Sequence, residues 1–207
     1  MIDDNEYNKI KLHRLLFFSD AVTAIIITLL VIELHLPHLV NSKSASEMLE
    51  NLINMAPNFG AFLLCFLTLG QGWIGQNALF SLVIKYDNSI AILNLMFLLP
   101  SCLLPFAATL IGEYFNNPMS FIFLASISFF SSIMSYFINR RLIKRKMFSP
   151  SVDISHLEKL TKNMLLFPFA SILMGFLAYY STFLSFSLFM CSMLISLWNL
   201  RNLKLIK

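Results

Sequence analysis

The sequence predicts an all-α membrane protein with six transmembrane helices and both termini in the cytoplasm. Its 207 residues are 57% hydrophobic and only 13% charged, and their mean hydropathy is +0.73. The chain also contains 21 Phe against only 6 Gly, which is typical of lipid-facing helices rather than of loops. A soluble domain of this length would carry about twice this fraction of charged residues.

Six apolar stretches approach the length of about 20 residues that a helix needs to cross a bilayer. Two prolines, Pro100 and Pro105, should bend the third of these helices. The last two are separated only by residues 179–182, so they form the least distinct pair. We expect one transmembrane domain over residues 1–207, with spans near 14–35, 56–84, 90–112, 119–138, 160–180 and 183–201.

The positions of the basic residues predict the orientation. With the N-terminus in the cytoplasm, 14 of the 15 Lys and Arg residues fall on the cytoplasmic side and only Lys43 falls outside. This is the bias of the positive-inside rule, and an odd number of spans would remove it. The net charge of +4 therefore indicates topology rather than nucleic-acid binding. The cytoplasmic residues are Lys9, Lys11, Arg14, Lys85, Arg140, Arg141, Lys144, Arg145, Lys146, Lys159, Lys162, Arg201, Lys204 and Lys207.

A carboxylate, Asp20, lies inside the first predicted span. An acid at that depth is costly unless it is paired or hydrated, so it marks a candidate functional site. One side of this helix carries an apolar stripe that includes Ile25. At about 100° per residue, Ile25 lies about 140° around the helix axis from Asp20. The stripe either packs against lipid and helices or lines a pore, and periodicity alone favours packing. Its members are Phe18, Ile25, Thr28, Leu29 and Ile32.

The second and third spans offer partners for Asp20. Small and amide side chains repeat along one face of the second span, where small residues allow close helix contact and amides donate hydrogen bonds. Asn94 in the third span must also find a partner if it is buried. We expect these groups to form a polar clamp around Asp20 and Arg14. The face on the second span consists of Thr68, Gln71, Gly72, Gly75 and Gln76, with Trp73 and Asn77 nearby.

The sequence predicts neither an enzyme nor a metal or cofactor site. It contains no nucleophile–base pair, no H-E-x-x-H motif and no Gly-rich phosphate loop. Cys65, Cys102 and Cys191 lie singly in three different helices. Glu33, His35 and His38 cluster at the outer end of the first span, but they are too few for a metal site and are expected to be interfacial residues.

The residues Arg14-x-x-x-Phe18-Ser19-Asp20 resemble the R-x-x-x-F-S-D signature of the transmembrane protein 175 family, which comprises potassium channels without a pore-loop filter. The resemblance covers roughly the first half of the chain. It continues through Trp73, Asp87, Leu93-Asn94-Leu95 and Pro105-Phe106.

The resemblance implies a homotetramer in which the first helix of each chain lines the pore. Carried onto this sequence, it implies a constriction at Ile25, further apolar rings at Leu29 and Ile32, and a hydroxyl layer at Thr28. Arg14, Phe18, Ser19, Asp20, Trp73, Gln76 and Asn94 would brace the pore helix. At position 76 the family often has His. Gln76 can donate a hydrogen bond to Asp20 but does not titrate at accessible pH, so pH sensitivity that depends on a histidine at this position is not expected.

The leading hypothesis is a potassium-selective channel in the plasma (inner) membrane of a prokaryote, a homotetramer with K⁺ as the permeant ion and membrane lipids as its surroundings. Glu33 would concentrate cations at the outer mouth. A small proton- or cation-coupled secondary transporter that uses Asp20 is the alternative. A membrane scaffold without transport activity is a third possibility.

Overall fold

The computed structural model describes residues 4–35 and 45–201, which are helical apart from short connections and one isolated β-bridge between Val83 and Phe148. His38, Lys43, Lys204 and Lys207, which entered the sequence analysis, lie outside these ranges. The helices in the described ranges are α1 (Asp4–Ile32), α2 (Ala45–Asn54), α3 (Ala56–Phe80), α4 (Asn88–Ser101), α5 (Leu104–Glu113), α6 (Pro118–Lys144), α7 (Ile154–Asn163), α8 (Leu166–Leu177) and α9 (Thr182–Arg201).

Five helical segments of the described residues are long and apolar enough to cross a membrane, which confirms an all-helical polytopic membrane protein. The sixth predicted span corresponds to α9, in which the apolar stretch within the described side chains is Thr182–Ser196, so the count of six stays a prediction. The five candidate spans are Glu6–Ile32, Ala56–Phe80, Asn88–Glu113, Pro118–Lys144 and Ile154–Leu177. The first helix therefore begins earlier than the predicted residue 14, and the fourth ends later than residue 138.

Prolines divide two of these candidate spans. Proline lacks a backbone N–H, and its ring clashes with the carbonyl four residues earlier. Pro105 accordingly follows the break between α4 and α5, as its position in the sequence predicted, while Pro100 is accommodated inside α4. Pro168 has the same relation to the break between α7 and α8. The predicted spans at 90–112 and 160–180 are thus pairs of shorter helices.

Two separate apolar clusters hold the bundle together. One cluster joins the later part of α1 to the first part of α3, to α5 and to the first part of α6; Leu30, Leu64 and Phe121 are among its fully buried members. The other joins the start of α1 to the ends of α3 and α6 and to α4; it includes Leu12 and Leu142. On each long helix the polar residues described below lie between these clusters. The bundle therefore has a polar layer between two apolar ends.

An ion pair fixes the end of α6 to the turn between α3 and α4. Asp87 caps α4 by accepting a hydrogen bond from the Ser89 backbone N–H at 3.0 Å, and its other oxygen accepts one from the Arg141 guanidinium at 2.9 Å. The Ser89 backbone bond, followed by the Arg141 contact, lowers the pKa of Asp87 below its ordinary value. Arg141 also donates to the Ser89 hydroxyl. Arg141 therefore has a specific structural role in addition to its contribution to the charge bias that predicts orientation.

We expect Asp87→Asn to lower stability at pH 7 and to have little effect in acid. Asn caps helices as well as Asp does, so the variant removes mainly the charge. The loss should be at most about 1 kcal/mol for a pair this accessible to solvent. A lowered pKa means that the stabilisation is present above the unfolded-state pKa of about 3.9 and disappears as the pH falls through the folded-state value.

Thermal unfolding in detergent at pH 7 and at pH 2 measures this difference. Arg141→Gln should reproduce the pH 7 loss, whereas Arg140→Gln is the matched control, since Arg140 forms no ion pair with any described residue. Equal melting temperatures for wild type and Asp87→Asn at pH 7 would contradict a stabilising ion pair.

Candidate functional site

Helix α1 has one buried face, which packs on the rest of the chain. Ser19, Thr23, Ile26 and Leu30 are buried and recur at spacings of four, three and four residues. This is the spacing expected for a helix that buries one face along its length. The contacts of this face with α3, α4 and α5 set the rotation of α1 about its axis.

The opposite face of α1 is exposed, and it carries the stripe that the helical wheel predicted. Ile25 is 59% exposed and Ile32 is 63% exposed, and Phe18, Leu29 and Thr28 are exposed with them. The Thr28 hydroxyl donates to the Ile25 backbone carbonyl at 2.8 Å. Its hydrogen is therefore engaged by the helix, while its oxygen can still accept. We call Phe18, Ile25, Thr28, Leu29 and Ile32 the α1 stripe.

A chain of buried hydrogen bonds connects α1 to α3 and α4. Asn94 is fully buried and donates to the Ser19 hydroxyl at 2.7 Å, and its carbonyl accepts from the Gln76 amide at 3.1 Å. Ser19 in turn donates to the Leu15 carbonyl at 3.0 Å. Each side chain in this series is hydrogen-bonded to the next. These bonds offset the free-energy cost of removing buried polar groups from water.

Asp20 is bound to a different side chain from the one considered in the sequence analysis. The Trp73 indole N–H donates to the Asp20 carboxylate at 2.8 Å, and Gln76 donates to Asn94 instead. The wheel placed Asp20 on another side of α1 from the stripe, and the Trp73 contact agrees with that placement. Asp20 and Ser19 together anchor α1 to α3 and α4. These residues form what we call the bracing network: Ser19, Asp20, Trp73, Gln76 and Asn94.

Two members of the sequence motif lie apart from this network. Arg14 is exposed and forms no hydrogen bond or ion pair with the residues that the structure describes. Phe18 is half exposed and belongs to the α1 stripe. Both residues therefore face away from the α3 and α4 contacts in the single chain.

The end of α1 is tied down by a contact that the sequence did not reveal. The Thr109 hydroxyl on α5 donates to the Glu33 carboxylate at 2.7 Å, which holds the carboxylate beside the last turn of α1. The neighbouring His35 ring nitrogen contacts the Glu33 carbonyl at 3.1 Å. Thr109 has no motif around it, and the contact joins residues 76 positions apart, so only the folded chain could indicate it.

The small-residue face of α3 does not pack as closely as predicted. A Cβ at Gly72 would lie 3.4 Å from the Phe97 ring, but a Cβ at Gly75 would meet no atom within 4 Å. The Gln71 amide nitrogen donates to the Ser196 hydroxyl on α9 rather than to a carboxylate. This face therefore borders open space inside the subunit instead of a tight helix contact.

The arrangement offers a passive surface rather than reactive groups. The α1 stripe carries no charge; Asp20 is held on another side of the helix by Trp73, and Glu33 follows the stripe at the end of α1, where Thr109 binds it. Within the ranges 4–35 and 45–201, no three His, Cys, Asp or Glu residues lie close enough together to hold a metal ion. The geometry is that of a rigidly oriented helix with one uncovered apolar face.

Comparison with known proteins identifies a family over the same residues. The family model described as "Endosomal/lysosomal potassium channel TMEM175" matches residues 14–105, which include the whole bracing network. A protein from Chamaesiphon minutus described as a potassium channel is 32% identical over 107 residues, covering 52% of each chain. A Chryseobacterium protein with the same description is 36% identical over 109 residues, covering 52% of this chain and 53% of that one.

A vertebrate relative and a solved structure extend the comparison. The mouse protein described as an endosomal/lysosomal proton channel is 24% identical over 163 residues, 78% of this chain and 32% of its own length. The matches thus span about half the length of the bacterial relatives and a third of the mouse protein. The crystal structure of a TMEM175 homologue from Chamaesiphon minutus has the same fold, with a TM-score of 0.75, 24% identity, and coverage of 92% of this chain and 98% of that one. The family description is that of an ion channel, and residues 14–105 of this chain match the model of that family.

Proposed function

We propose that the protein is a potassium-selective channel in which four copies of α1 line a central pore. The observation that carries this proposal is the orientation of α1. The bracing network and the buried face of α1 hold the helix against its own subunit, so that the α1 stripe is the side left uncovered. The bacterial relatives described as potassium channels support potassium as the permeant ion.

The chemistry of the stripe suits a pore without a carbonyl filter. Rings of Ile25, Leu29 and Ile32 would form apolar constrictions, which exclude hydrated ions and gate by dewetting. Thr28 would add a ring of hydroxyl oxygens, since its hydrogen is bonded to the Ile25 carbonyl and its oxygen can face an ion. Potassium gives up its hydration water more easily than sodium does, so a narrow apolar passage with a few oxygens favours potassium.

One pore helix per chain requires more than one copy, and the number four is what the resemblance to the TMEM175 family implies. A pore enclosed by a single α1 stripe requires several copies around an axis, and closed cyclic symmetry supplies that arrangement. We propose a homotetramer, with Glu33 held by Thr109 near the outer mouth, where it would concentrate cations. Arg14 and Phe18 lie on the same side of α1 as the stripe. They would therefore contact neighbouring subunits or the inner vestibule.

The remaining features follow the charge distribution. We propose that the chain forms one transmembrane domain of six spans, with α9 as the sixth and both termini in the cytoplasm, because this topology keeps nearly all Lys and Arg on one side. Because several of the matched relatives are bacterial proteins, we propose the plasma membrane of a prokaryote as its location. Membrane lipids would surround the tetramer.

Potassium flux from liposomes containing the purified protein tests the proposal. We expect passive potassium efflux that exceeds sodium efflux, does not need a proton gradient and does not saturate at physiological concentrations. Native mass spectrometry of the same preparation should give the mass of four chains. Vesicles without protein are the control for leakage.

Other outcomes of the same assay would replace the proposal. Flux that needs a proton gradient and saturates would indicate a transporter that uses Asp20. Acidification of the vesicle interior without potassium flux would indicate a proton channel, the description given to the mouse relative. The absence of any flux from correctly assembled tetramers would leave only a scaffold role.

A further inference from the structure

A second candidate site lies inside the subunit, on the side of α1 away from the α1 stripe. It is a cavity of about 470 Å³ between α3, α4, α6, α7, α8 and α9, and α1 reaches it through the buried Thr23. It falls in the polar layer between the two apolar clusters. Pockets that bind small molecules usually have volumes of about 300–1,000 Å³. The cavity therefore has the size of a ligand site.

One wall of this cavity is a row of hydroxyl groups on α6. Ser128, Ser131, Ser132 and Ser135 line it, and Asn139 follows at the same helical spacing. Gln71 and Gly75 of α3 face it from another side. The spacing of the serines is visible in the sequence, but only the packing of α6 against α3 and α8 shows that they face an open space.

Three polar atoms in the wall have no hydrogen-bond partner among the residues that the structure describes. They are the hydroxyl oxygens of Ser128 and Ser131 and the side-chain oxygen of Gln71. Ser128 is only 7% exposed, so the surface does not supply a partner. A buried polar group without a hydrogen bond is costly, and such groups in proteins normally have a water molecule or a ligand as partner.

Other helical serines of the chain show how such a hydroxyl is usually satisfied. Ser126 on α6 donates to the Ile122 carbonyl at 2.8 Å, and Ser171 on α8 donates to the Phe167 carbonyl at 3.0 Å. Bonds of this kind to the preceding turn are common for serine in helices. Ser128 and Ser131 do not form them, so their hydroxyls remain available to a molecule in the cavity.

The remaining wall determines the class of ligand. No charged side chain lines the cavity in the described part of the chain, and apolar residues such as Leu69, Leu98 and Phe167 complete it. A bare ion would have no counter-charge in this cavity. Water could bond to the polar side chains, but its contact with the apolar part of the wall would be unfavourable. We infer that the cavity binds a small uncharged amphiphile, a molecule with an apolar body and one alcohol or phenol group. That hydroxyl would donate to Gln71 and accept from Ser128 or Ser131.

Photolabelling of the purified protein in vesicles with 3-azioctanol, a photoreactive octanol, tests this inference without depending on flux. We expect adducts on α3 and α6 residues that line the cavity, located by mass spectrometry, and loss of these adducts with excess octanol. Adducts confined to the α1 stripe or to the outer surface would overturn the inference. So would cavity adducts that excess octanol does not reduce, or no adducts at all.

Two glycines of α3 provide a matched pair of variants. A Cβ at either Gly75 or Gly70 meets no atom within 4 Å, but only Gly75 lines the cavity. Gly75→Leu should abolish the cavity adducts, and Gly70→Leu should retain them, both measured on protein that elutes as the wild type does. Retained labelling in Gly75→Leu would overturn the inference.

A smaller substitution keeps the inference testable if the leucine variants do not assemble. Ser131→Ala removes one hydroxyl and leaves the cavity open. The octanol concentration that halves labelling should rise about two- to tenfold, the change that the net contribution of one hydrogen bond gives. Ser126→Ala, on the same helix but bonded to its own backbone, should leave that concentration unchanged. If Ser128 is the donor instead, Ser128→Ala should give this rise, so an equal concentration in wild type and in both single variants would contradict hydrogen bonding at this wall.

Discussion

Replacing Ile25 with asparagine should raise potassium flux and lower the ratio of potassium to sodium flux. In the proposed tetramer this change replaces a ring of four hydrocarbon side chains with four amides, whose oxygens can substitute for lost hydration water. If the apolar ring contributes about 1.4 kcal/mol to the barrier, the flux should rise about tenfold. Sodium should gain more than potassium, because its dehydration is the more costly step.

Parallel flux measurements with each cation in reconstituted liposomes give both quantities. Val31→Asn is the matched control, since Val31 is also more than half exposed on α1 but lies about 120° around the helix from Ile25 at 100° per residue. It should leave the flux ratio unchanged in assembled tetramers. A wild-type ratio in Ile25→Asn would show that the constriction is not at Ile25.

The helical period of α1 was enough to predict which side chains share a face. The rule of 100° per residue separated Asp20 from the stripe, and the structure places Asp20 against Trp73 while leaving Ile25 and Ile32 uncovered. This worked because a long, regular helix converts sequence spacing directly into direction. The rule does not say what covers the stripe, since that depends on contacts outside the single chain.

Partners between helices were less predictable. The composition of α3 indicated that it would donate to Asp20, but not whether Trp73 or Gln76 would do so. Gln76 lies three residues after Trp73, so both are on neighbouring parts of one face, and the rotation and depth of α4 decide that Gln76 reaches Asn94. The spacing of α6 serines likewise predicts a polar face but not an open cavity. Distances between helices depend on packing that no local pattern contains.

Replacing Asn94 with leucine should destabilise the protein by about 1–3 kcal/mol, the cost of leaving a buried polar partner without its hydrogen bond. Asn94 is fully buried and is the shared partner of Ser19 and Gln76, so its loss frees a donor on α3 and an acceptor on α1. The rotation of α1 would then be less firmly fixed. Potassium flux per tetramer should therefore fall, and the melting temperature in detergent should decrease. Asn77→Leu, at a partly buried position on α3, is the control and should change neither.

A double-mutant cycle with Ser19→Ala distinguishes a connected network from separate contacts. Ser19→Ala alone removes the acceptor of the Asn94 amide and leaves that buried donor unpaired. In the double variant neither group of this bond remains, so the combined loss should be smaller than the sum of the two single losses by at least about 0.5 kcal/mol. Additive losses would mean that the 2.7 Å contact between Asn94 and Ser19 contributes nothing. Because hydrogen bonds between membrane helices average only about 0.6 kcal/mol, a larger coupling would indicate that the network acts as a unit in orienting α1.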